Sequence, residues 1–425
     1  MVPVVFLLLA CGTGTVVPVS DSGPAPDTDE PTGSVEDTAP EVDQEPPVTV
    51  DVIGEHELDD SWIFSHEVIH EIEIVLSEAS VAALGSDPYS YVEGSVSIDG
   101  ELIDPVGVRL RGKIGSFREL DGKPKFKLDF NRFVDGRRFQ DMEALSLNNS
   151  VVDCSYLKEP IGYHLFEAAG VPASRTGFAT VTVNGSPYGL YVLVEVPDDR
   201  FLRRHYLDPS GRLYDGKYVW YGGYSYQLLD FGDGVDTMYQ LEEGEDIAHA
   251  DIIAVSETLA AAWGQATFEA DMATVLNWDR HHRMWAVEQW IGQNDGYTLN
   301  TNNYRVYFDP LDGLADLVPW DLDYAFLYDS EWGLSWWSPR GNLTYGCLQD
   351  ASCVATHVEV VAEVLDAVVA AEPLARFDQL VELIDEAAAA DPRRECSADS
   401  VASTQAYVRG WIEGQDAVMR SAWGL

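Results

Sequence analysis

Two carboxylates stand two residues apart in the stretch LVPWDLDYAF, residues 317–326. On a β-strand, residues two apart point to the same side, so Asp321 and Asp323 would share one face. Two like charges on one face are costly unless a positive charge lies between them. The spacing therefore indicates either a metal-binding pair or an ordinary turn after a strand.

A cluster of cations lies earlier, in a chain with only 26 Lys and Arg. Six of them fall within 19 residues: Arg109, Arg111, Lys113, Lys123, Lys125 and Lys127. In KPKFKLDF, alternation places the three lysines on one strand face, where they would attract an anion such as phosphate. The alternative is a solvated sheet edge, where lysines discourage pairing with another sheet.

A polar loop, GQNDGYTLNTNNYRVY, follows a predicted helix and leads into a predicted strand. Asp295 is followed by Asn300, Asn302 and Asn303. In protein kinases a catalytic Asp is followed by a metal-binding Asn, and a later Asp holds Mg²⁺. Asp321 takes the place of that later Asp here. The alternative is an Asx-rich turn before a strand.

A different stretch, Asp230-Phe231-Gly232, spells the kinase metal motif. It precedes Asp295, whereas in kinases the metal-binding Asp follows the catalytic one. We therefore interpret it as an acidic loop.

The elements that must position these residues change character along the chain. Before about residue 245 the sequence predicts mostly strands, with a hairpin at Asn184-Gly185, a helix that begins near residue 156 and ends at Gly170, and a short helix in DRFLRRHY. After it, apolar residues recur at helical spacing. This order predicts an α+β fold with a β-rich N-terminal lobe and a mainly helical C-terminal lobe. Clefts between lobes are common ligand sites.

Composition and the N-terminal sequence indicate an exported protein. A net charge of −46 argues against nucleic-acid partners and anionic membrane surfaces. Residues 1–11 end in an apolar run that resembles a bacterial lipobox, with Cys11 as the lipidated residue. Residues 12–60 are predicted to be a disordered acidic, Pro-rich tether. Residues 61–425 are predicted to be the globular domain, with a helical C-terminal extension from about residue 355.

The other four cysteines form an even set, as expected of disulfides in an exported domain. Cys347 and Cys353 enclose a short loop and could pair, and Cys154 and Cys396 would then form the second pair. A zinc site is the less favoured alternative, because the chain has no CxxC and its histidines are scattered.

Over roughly residues 65–340 the chain resembles the CotH kinases, named after spore coat protein H. The resemblance rests on the order of VRLRGKIGS, KPKFKLDF, VTVNGSPYGLYVLVEVPD, QNDGYTLNTNNYRVY and PWDLDYAF. It implies an atypical protein-kinase-like fold with ATP and a divalent metal, Mg²⁺ or Mn²⁺, in its cleft. Some members phosphorylate Ser or Thr of surface proteins, and others have binding roles.

The resemblance also implies roles for individual residues. Lys125 or Lys127, with Lys127 preferred, would hold the nucleotide phosphates. The remaining nucleotide-binding residues would be Arg111 and Glu195.

Asp295 matches the family's catalytic Asp, and Asp321 matches its metal-binding Asp. The second metal ligand would be Asn303 by the family's Asn-Tyr pattern, or Asn300 by kinase spacing. Asp323 would be either another ligand or a hydrogen-bond partner of the loop.

We therefore expect a monomeric, lipid-anchored or secreted protein of the bacterial cell envelope. It would transfer phosphate from ATP to Ser or Thr of a surface protein. Two alternatives stay open at this point. One is a non-catalytic surface lipoprotein with an adhesion or coat-assembly role, and the other is an adenylyl transferase.

Overall fold

Seven strands close into a barrel in the computed structural model, which describes residues 60–220 and 226–425. Their order around the barrel is β1-β2-β3-β4-β5-β7-β6, and only the β1–β6 pair is parallel. The strands are β1 (His70–Leu76), β2 (Val92–Ile98), β3 (Glu101–Arg111), β4 (Lys125–Asp129), β5 (Ala144–Asn148), β6 (Thr176–Val183) and β7 (Ser186–Glu195).

Local sequence explains these strands. In β1 every second residue is buried, so Ile72, Ile74 and Leu76 enter the barrel core and the glutamates face outward. The predicted hairpin is confirmed between β6 and β7. Asn184 and Gly185 both have positive φ, the backbone that a tight two-residue hairpin turn requires.

A second sheet has the order β11-β8-β12-β13. Between β8 and β11 the chain forms a two-stranded ribbon of β9 and β10. These strands are β8 (Arg212–Asp215), β9 (Val219–Trp220), β10 (Tyr226–Gln227), β11 (Gln240–Glu243), β12 (Tyr304–Phe308) and β13 (Ala315–Pro319). Short 3₁₀ helices span Asp60–Phe64, Asp236–Met238, Leu322–Tyr324 and Asp329–Trp332.

Most helices follow the barrel in sequence and share one large apolar core with the second sheet. They are α1 (Glu78–Ser86), α2 (Lys158–Ala168), α3 (Asp199–His205), α4 (Ala250–Ala262), α5 (Phe268–Met272), α6 (Trp278–Ile291), α7 (Tyr297–Asn300), α8 (Asn342–Leu348), α9 (Ala351–Ala370), α10 (Pro373–Ala390) and α11 (Ala398–Trp423). No helix within the described ranges is both long and apolar enough to cross a bilayer.

The mixed α and β composition is confirmed, with a β-rich first part and a largely helical second part. The predicted division into two lobes is not confirmed, because the described residues belong to one compact unit. The predicted lipobox and the tether to residue 59 lie outside the described residues. Both predicted disulfides are present: Cys154–Cys396 and Cys347–Cys353.

Candidate active site

A cavity of about 600 Å³ opens beside β3 and β4. Seven of the nine predicted site residues line it: Arg111, Lys127, Asp295, Asn300, Asn303, Asp321 and Asp323. The other two are Lys125, which lies directly behind the two aspartates, and Glu195, which lies elsewhere. The structure therefore gathers the basic strand and both acidic motifs around one cleft.

Lys125 joins the two aspartates of PWDLD. Its ammonium donates to Asp323 at 2.8 Å and to Asp321 at 3.2 Å. The side chain of Lys125 is 2% exposed, whereas that of Asp321 is 21% exposed on the cleft side. Burial alone would lower the pKa of Lys125, but the two carboxylates raise it above its ordinary value. The lysine is therefore a permanent cation, and these three side chains together carry one excess negative charge, which Arg111 offsets in part by attracting Asp321.

A turn, rather than strand alternation, brings the two carboxylates together. β13 ends at Pro319, Asp321 adopts the left-handed backbone with φ 47°, and Asp323 lies on the following 3₁₀ helix. Aspartate tolerates this conformation better than most residues. The backbone of Asp321 is held on both sides, since its N–H donates to the Tyr163 hydroxyl and its carbonyl accepts from Gln293 and Asn303.

Glu159, which the sequence analysis missed, lies close to the same group. It stands in the first turn of α2 and accepts both its bonds, at 2.7 and 2.8 Å, from the amide of Asn148. Burial, followed by repulsion from Asp321, raises the pKa of Glu159. Gly162 lets α2 approach this closely, because a Cβ there would lie 2.7 Å from Leu322. The available signal was a charged pair, Lys158-Glu159, at the start of a helix whose other residues are mostly apolar.

Asp295 is held by the asparagines that follow it. Asn300 donates to one of its carboxylate oxygens at 2.7 Å, and Asn302 and Asn303 each donate to the other at 3.1 Å. Asn303 also donates to the Asp321 carbonyl, so it links the two acidic motifs. Burial raises the pKa of Asp295 to about 7.

The two predicted phosphate-binding cations have different surroundings. Arg111 donates to Ser146 and to Asn148, and its guanidinium lies 5.3 Å from the centre of the Trp320 ring. Lys127 has no carboxylate within 4.0 Å among the described residues. Burial, together with neighbouring arginines, lowers the pKa of Lys127 to about 8.

Glu195 does not reach the cleft. One oxygen of its carboxylate accepts a hydrogen bond from Arg175 and the other accepts one from Arg204, both at 2.6 Å. Burial would raise the pKa of Glu195, but the two guanidinium groups lower it. The expected nucleotide contact is therefore replaced by a buried ion-pair network at the end of β7.

The three lysines of KPKFKLDF do not share one face. β4 begins only at Lys125, and the preceding Lys123 turns away to Asp391, 2.5 Å from its carboxylate. The alternative of a solvated edge is wrong as well, because β4 pairs with β3 on one side and β5 on the other.

Asp230 has a structural role in the described part of the chain. It accepts bonds from the Tyr297 hydroxyl, the Phe231 N–H and the Asn342 N–H at the start of α8. In the described ranges, the one group of three or more His, Cys, Asp or Glu residues whose ligand atoms all lie within 4.8 Å of one another is His282 with Cys347 and Cys353. Both of these sulfurs are joined in a disulfide.

The sequence profile of the CotH kinase protein family matches residues 108–417, which include every residue of this site. The chain belongs to the CotH kinase protein family. A curated relative is the inner spore coat protein H of Bacillus subtilis strain 168, 23% identical over 209 residues. The match covers 47% of this chain and 53% of that protein, so the chain spans about half the length of this CotH relative.

Two solved structures are also similar to this CotH family chain. One belongs to the Shewanella oneidensis MR-1 toxin–antitoxin complex of HipA, HipB and operator DNA, with 12% identity, 84% of this chain and 74% of that chain covered, and a TM-score of 0.33. The other is the Helicobacter pylori proinflammatory kinase CtkA, with 12% identity and a TM-score of 0.28. The match covers 70% of this chain and 94% of that chain. These TM-scores are too low to inform the site.

Proposed function

We propose that this chain transfers the terminal phosphoryl group of ATP to a Ser or Thr hydroxyl of an exported protein. One observation carries the proposal. A permanent cation, Lys125, is surrounded by an excess of carboxylate at a cleft that also holds Asp295. Phosphoryl transfer needs little from a protein beyond positioning and charge neutralisation, and this cleft offers groups for both.

The donor set fits a hard divalent cation. Carboxylate and amide oxygens are the ligands that Mg²⁺ takes, and Asp321 and Asp323 supply more negative charge than Lys125 neutralises. Asn303 fits as a further ligand better than Asn300, because the side-chain oxygen of Asn300 already accepts from Arg340. A bound Mg²⁺ would neutralise the charge that develops on the phosphate oxygens.

We propose that Asp295 serves as the base. Its pKa, raised to about 7, leaves it able both to accept and to release a proton near neutral pH. In the proposed step the acceptor hydroxyl gives its proton to the Asp295 carboxylate while its oxygen bonds to the terminal phosphorus. The bond from that phosphorus to the bridging oxygen breaks, and ADP leaves with the electron pair.

The proposal includes an envelope location and attachment through a lipid on Cys11. Two observations support it. The described part of the chain carries two disulfides, which persist in oxidising compartments. The curated relative is named as a spore coat protein.

Transfer from labelled ATP tests the chemistry. We expect the label of γ-labelled ATP, and not that of α-labelled ATP, to enter a Ser- and Thr-containing protein acceptor when Mg²⁺ is present. Asp295→Asn should lower the rate by about 10²- to 10⁴-fold, the usual contribution of a general base. Asp378→Asn, on the exposed face of α10, is the matched control and should leave the rate unchanged.

Two results would count against phosphoryl transfer. Incorporation of the α-label would assign adenylyl transfer instead. Absence of incorporation of either label, with several acceptors and with the chain itself, would favour a non-catalytic surface protein.

A further inference from the structure

The outer face of β3 and β4 carries four cations in two cross-strand pairs. Arg111 lies opposite Lys125, and two residues along each strand Arg109 lies opposite Lys127. The intervening residues, such as Leu110 and Phe126, fill the barrel core, so all four cations face away from it.

The two pairs differ in what neutralises them. Lys125 contacts two carboxylates, and Arg111 donates to Asn148 and Ser146. Within residues 60–220 and 226–425, Arg109 and Lys127 have no carboxylate within 4.0 Å, and the Nε of Arg109 is buried without a hydrogen-bond partner. Both side chains line the cavity.

Arg305, a residue of β12 that the sequence analysis did not single out, reaches the same part of the cavity. It is 6% exposed, and its Nε and Nη1 are buried with no hydrogen-bond partner among the described residues. Its guanidinium lies 4.8 Å from the centre of the Trp320 ring, on which Arg111 also lies. The indole therefore holds two guanidinium groups near each other without neutralising either.

The nearby carboxylates compensate this charge only in part, because Asp215 attracts Arg305 and Glu242 attracts Lys127 without either pair lying within 4.0 Å in the described structure. Asp215, opposite Arg305 in the sheet, accepts from both the ammonium and the backbone N–H of Lys217. Glu242 lines the cavity as well but forms no ion pair within 4.0 Å in the described structure. Buried cations with unsatisfied N–H groups and no carboxylate in contact are expensive, so an anion from outside the chain would lower that cost.

We propose that Arg109, Lys127 and Arg305, here called the outer cation group, form an anion site that binds one phosphate group without a metal. The site is separate from the Lys125–Asp321–Asp323 group, whose lysine is already neutralised. Phosphate fits because guanidinium groups offer paired N–H donors to its oxygens and an ammonium adds a point charge. The phosphate could belong to the nucleotide or to a phosphorylated acceptor protein.

Calorimetric titration with inorganic phosphate, in EDTA and at constant ionic strength, tests the site. We expect saturable binding that weakens at least 10-fold in Arg305→Gln and in Lys127→Gln. The Lys127→Gln variant should fold like the wild type, because the Lys127 ammonium has no hydrogen-bond partner to lose in the described structure. Binding should also weaken above about pH 8 as Lys127 loses its proton.

Two controls separate this site from the metal site and from surface charge. Arg409→Gln, on the exposed surface of α11, should bind phosphate like the wild type. Asp321→Asn should also retain phosphate binding in EDTA even though it loses Mg²⁺-dependent ATP binding. Unchanged phosphate binding in both Lys127→Gln and Arg305→Gln would overturn the proposal, and so would its loss in Asp321→Asn.

Competition with metal-free ATP identifies the source of the phosphate. Displacement of inorganic phosphate by ATP would support the site as one for the nucleotide tail. Simultaneous binding of both would support a site for a phosphorylated acceptor. Because these measurements contain no metal and no transfer step, the anion site can fail while the proposed kinase activity stands, and the reverse also holds.

Discussion

Two lysines that are two residues apart, Lys123 and Lys125, both bind aspartates from the far end of the chain, with different consequences. Lys123 meets a single carboxylate, Asp391, and both side chains are at most 1% exposed. The Tyr156 hydroxyl and the Leu190 N–H also donate to Asp391, which fills the space that a side chain at position 189 would need. This pair is neutral and sealed.

Lys125 instead meets two carboxylates, and one of them opens to the cleft. Its group carries a net negative charge, with Glu159 beside it. Burial is almost the same for the two lysines, so burial does not distinguish a structural ion pair from a site. Charge balance and access to the cleft do, and on this basis we propose that Lys123 stabilises the fold and that Lys125 serves the site.

The disulfide next to the sealed pair should give the largest effect. Cys396 follows Asp391 by five residues, and its bond to Cys154 closes a loop of 242 residues, against 6 for Cys347–Cys353. The dependence of chain entropy on loop length gives losses of about 5 and about 2 kcal/mol on removing them. Urea unfolding of Cys154→Ser/Cys396→Ser and Cys347→Ser/Cys353→Ser checks this. Equal losses would contradict the loop-length argument.

Asp391→Asn should come next. Lys123 would keep its burial but lose the one carboxylate that lies within 4.0 Å of it in the described structure, a change that costs about 3–5 kcal/mol in buried pairs. Asp321→Asn should cost much less, because Lys125 retains Asp323 at 2.8 Å. Urea unfolding of the two variants gives a direct comparison. If Asp321→Asn is as destabilising as Asp391→Asn, the distinction between the two lysines is wrong.

The smallest effect concerns Asp295. Side-chain amides, rather than an ammonium group, hold its buried carboxylate. Burial raises its pKa to about 7 in the folded protein, against about 3.9 in an unfolded chain. The folded state therefore binds this proton more tightly, and the resulting stability is lost as the pH rises from about 4 to about 7.

Metal-free urea unfolding of wild type and Asp295→Asn at pH 5, 6, 7 and 8 measures this loss. The stability of the wild type relative to the variant should fall up to about pH 7 and then stay level. A difference that does not depend on pH would show that the Asp295 carboxylate is not perturbed.

Local sequence patterns were enough to predict the elements that depend on neighbouring residues. The Asn184-Gly185 turn, the helix that became α2 and the strands of the second sheet around Asp321 follow from turn residues and periodicity. The barrel could not be predicted, because the parallel pairing of β1 with β6 joins residues about a hundred positions apart and leaves no local mark.

Motif order pointed to Asp295 and Asp321, and both line the same cleft. Other predicted residues instead bind partners that are distant in sequence. Lys123 was expected beside Lys125 and went to Asp391, which lies 268 residues later. Glu195 satisfied the pattern of a motif, yet two nearby arginines took its carboxylate. Arg305 had a visible signal, an arginine inside the apolar strand sequence YRVYF.

Calorimetric titration of ATP into wild type and Asp321→Asn, each with Mg²⁺ and with EDTA, tests the central claim most directly. The charge imbalance around Lys125 predicts that Mg²⁺ strengthens ATP binding to the wild type. It also predicts that Asp321→Asn abolishes this Mg²⁺ effect while unfolding at nearly the wild-type urea concentration. Equal strengthening by Mg²⁺ in both proteins would contradict the assignment of Asp321 and its neighbours as the metal–nucleotide site.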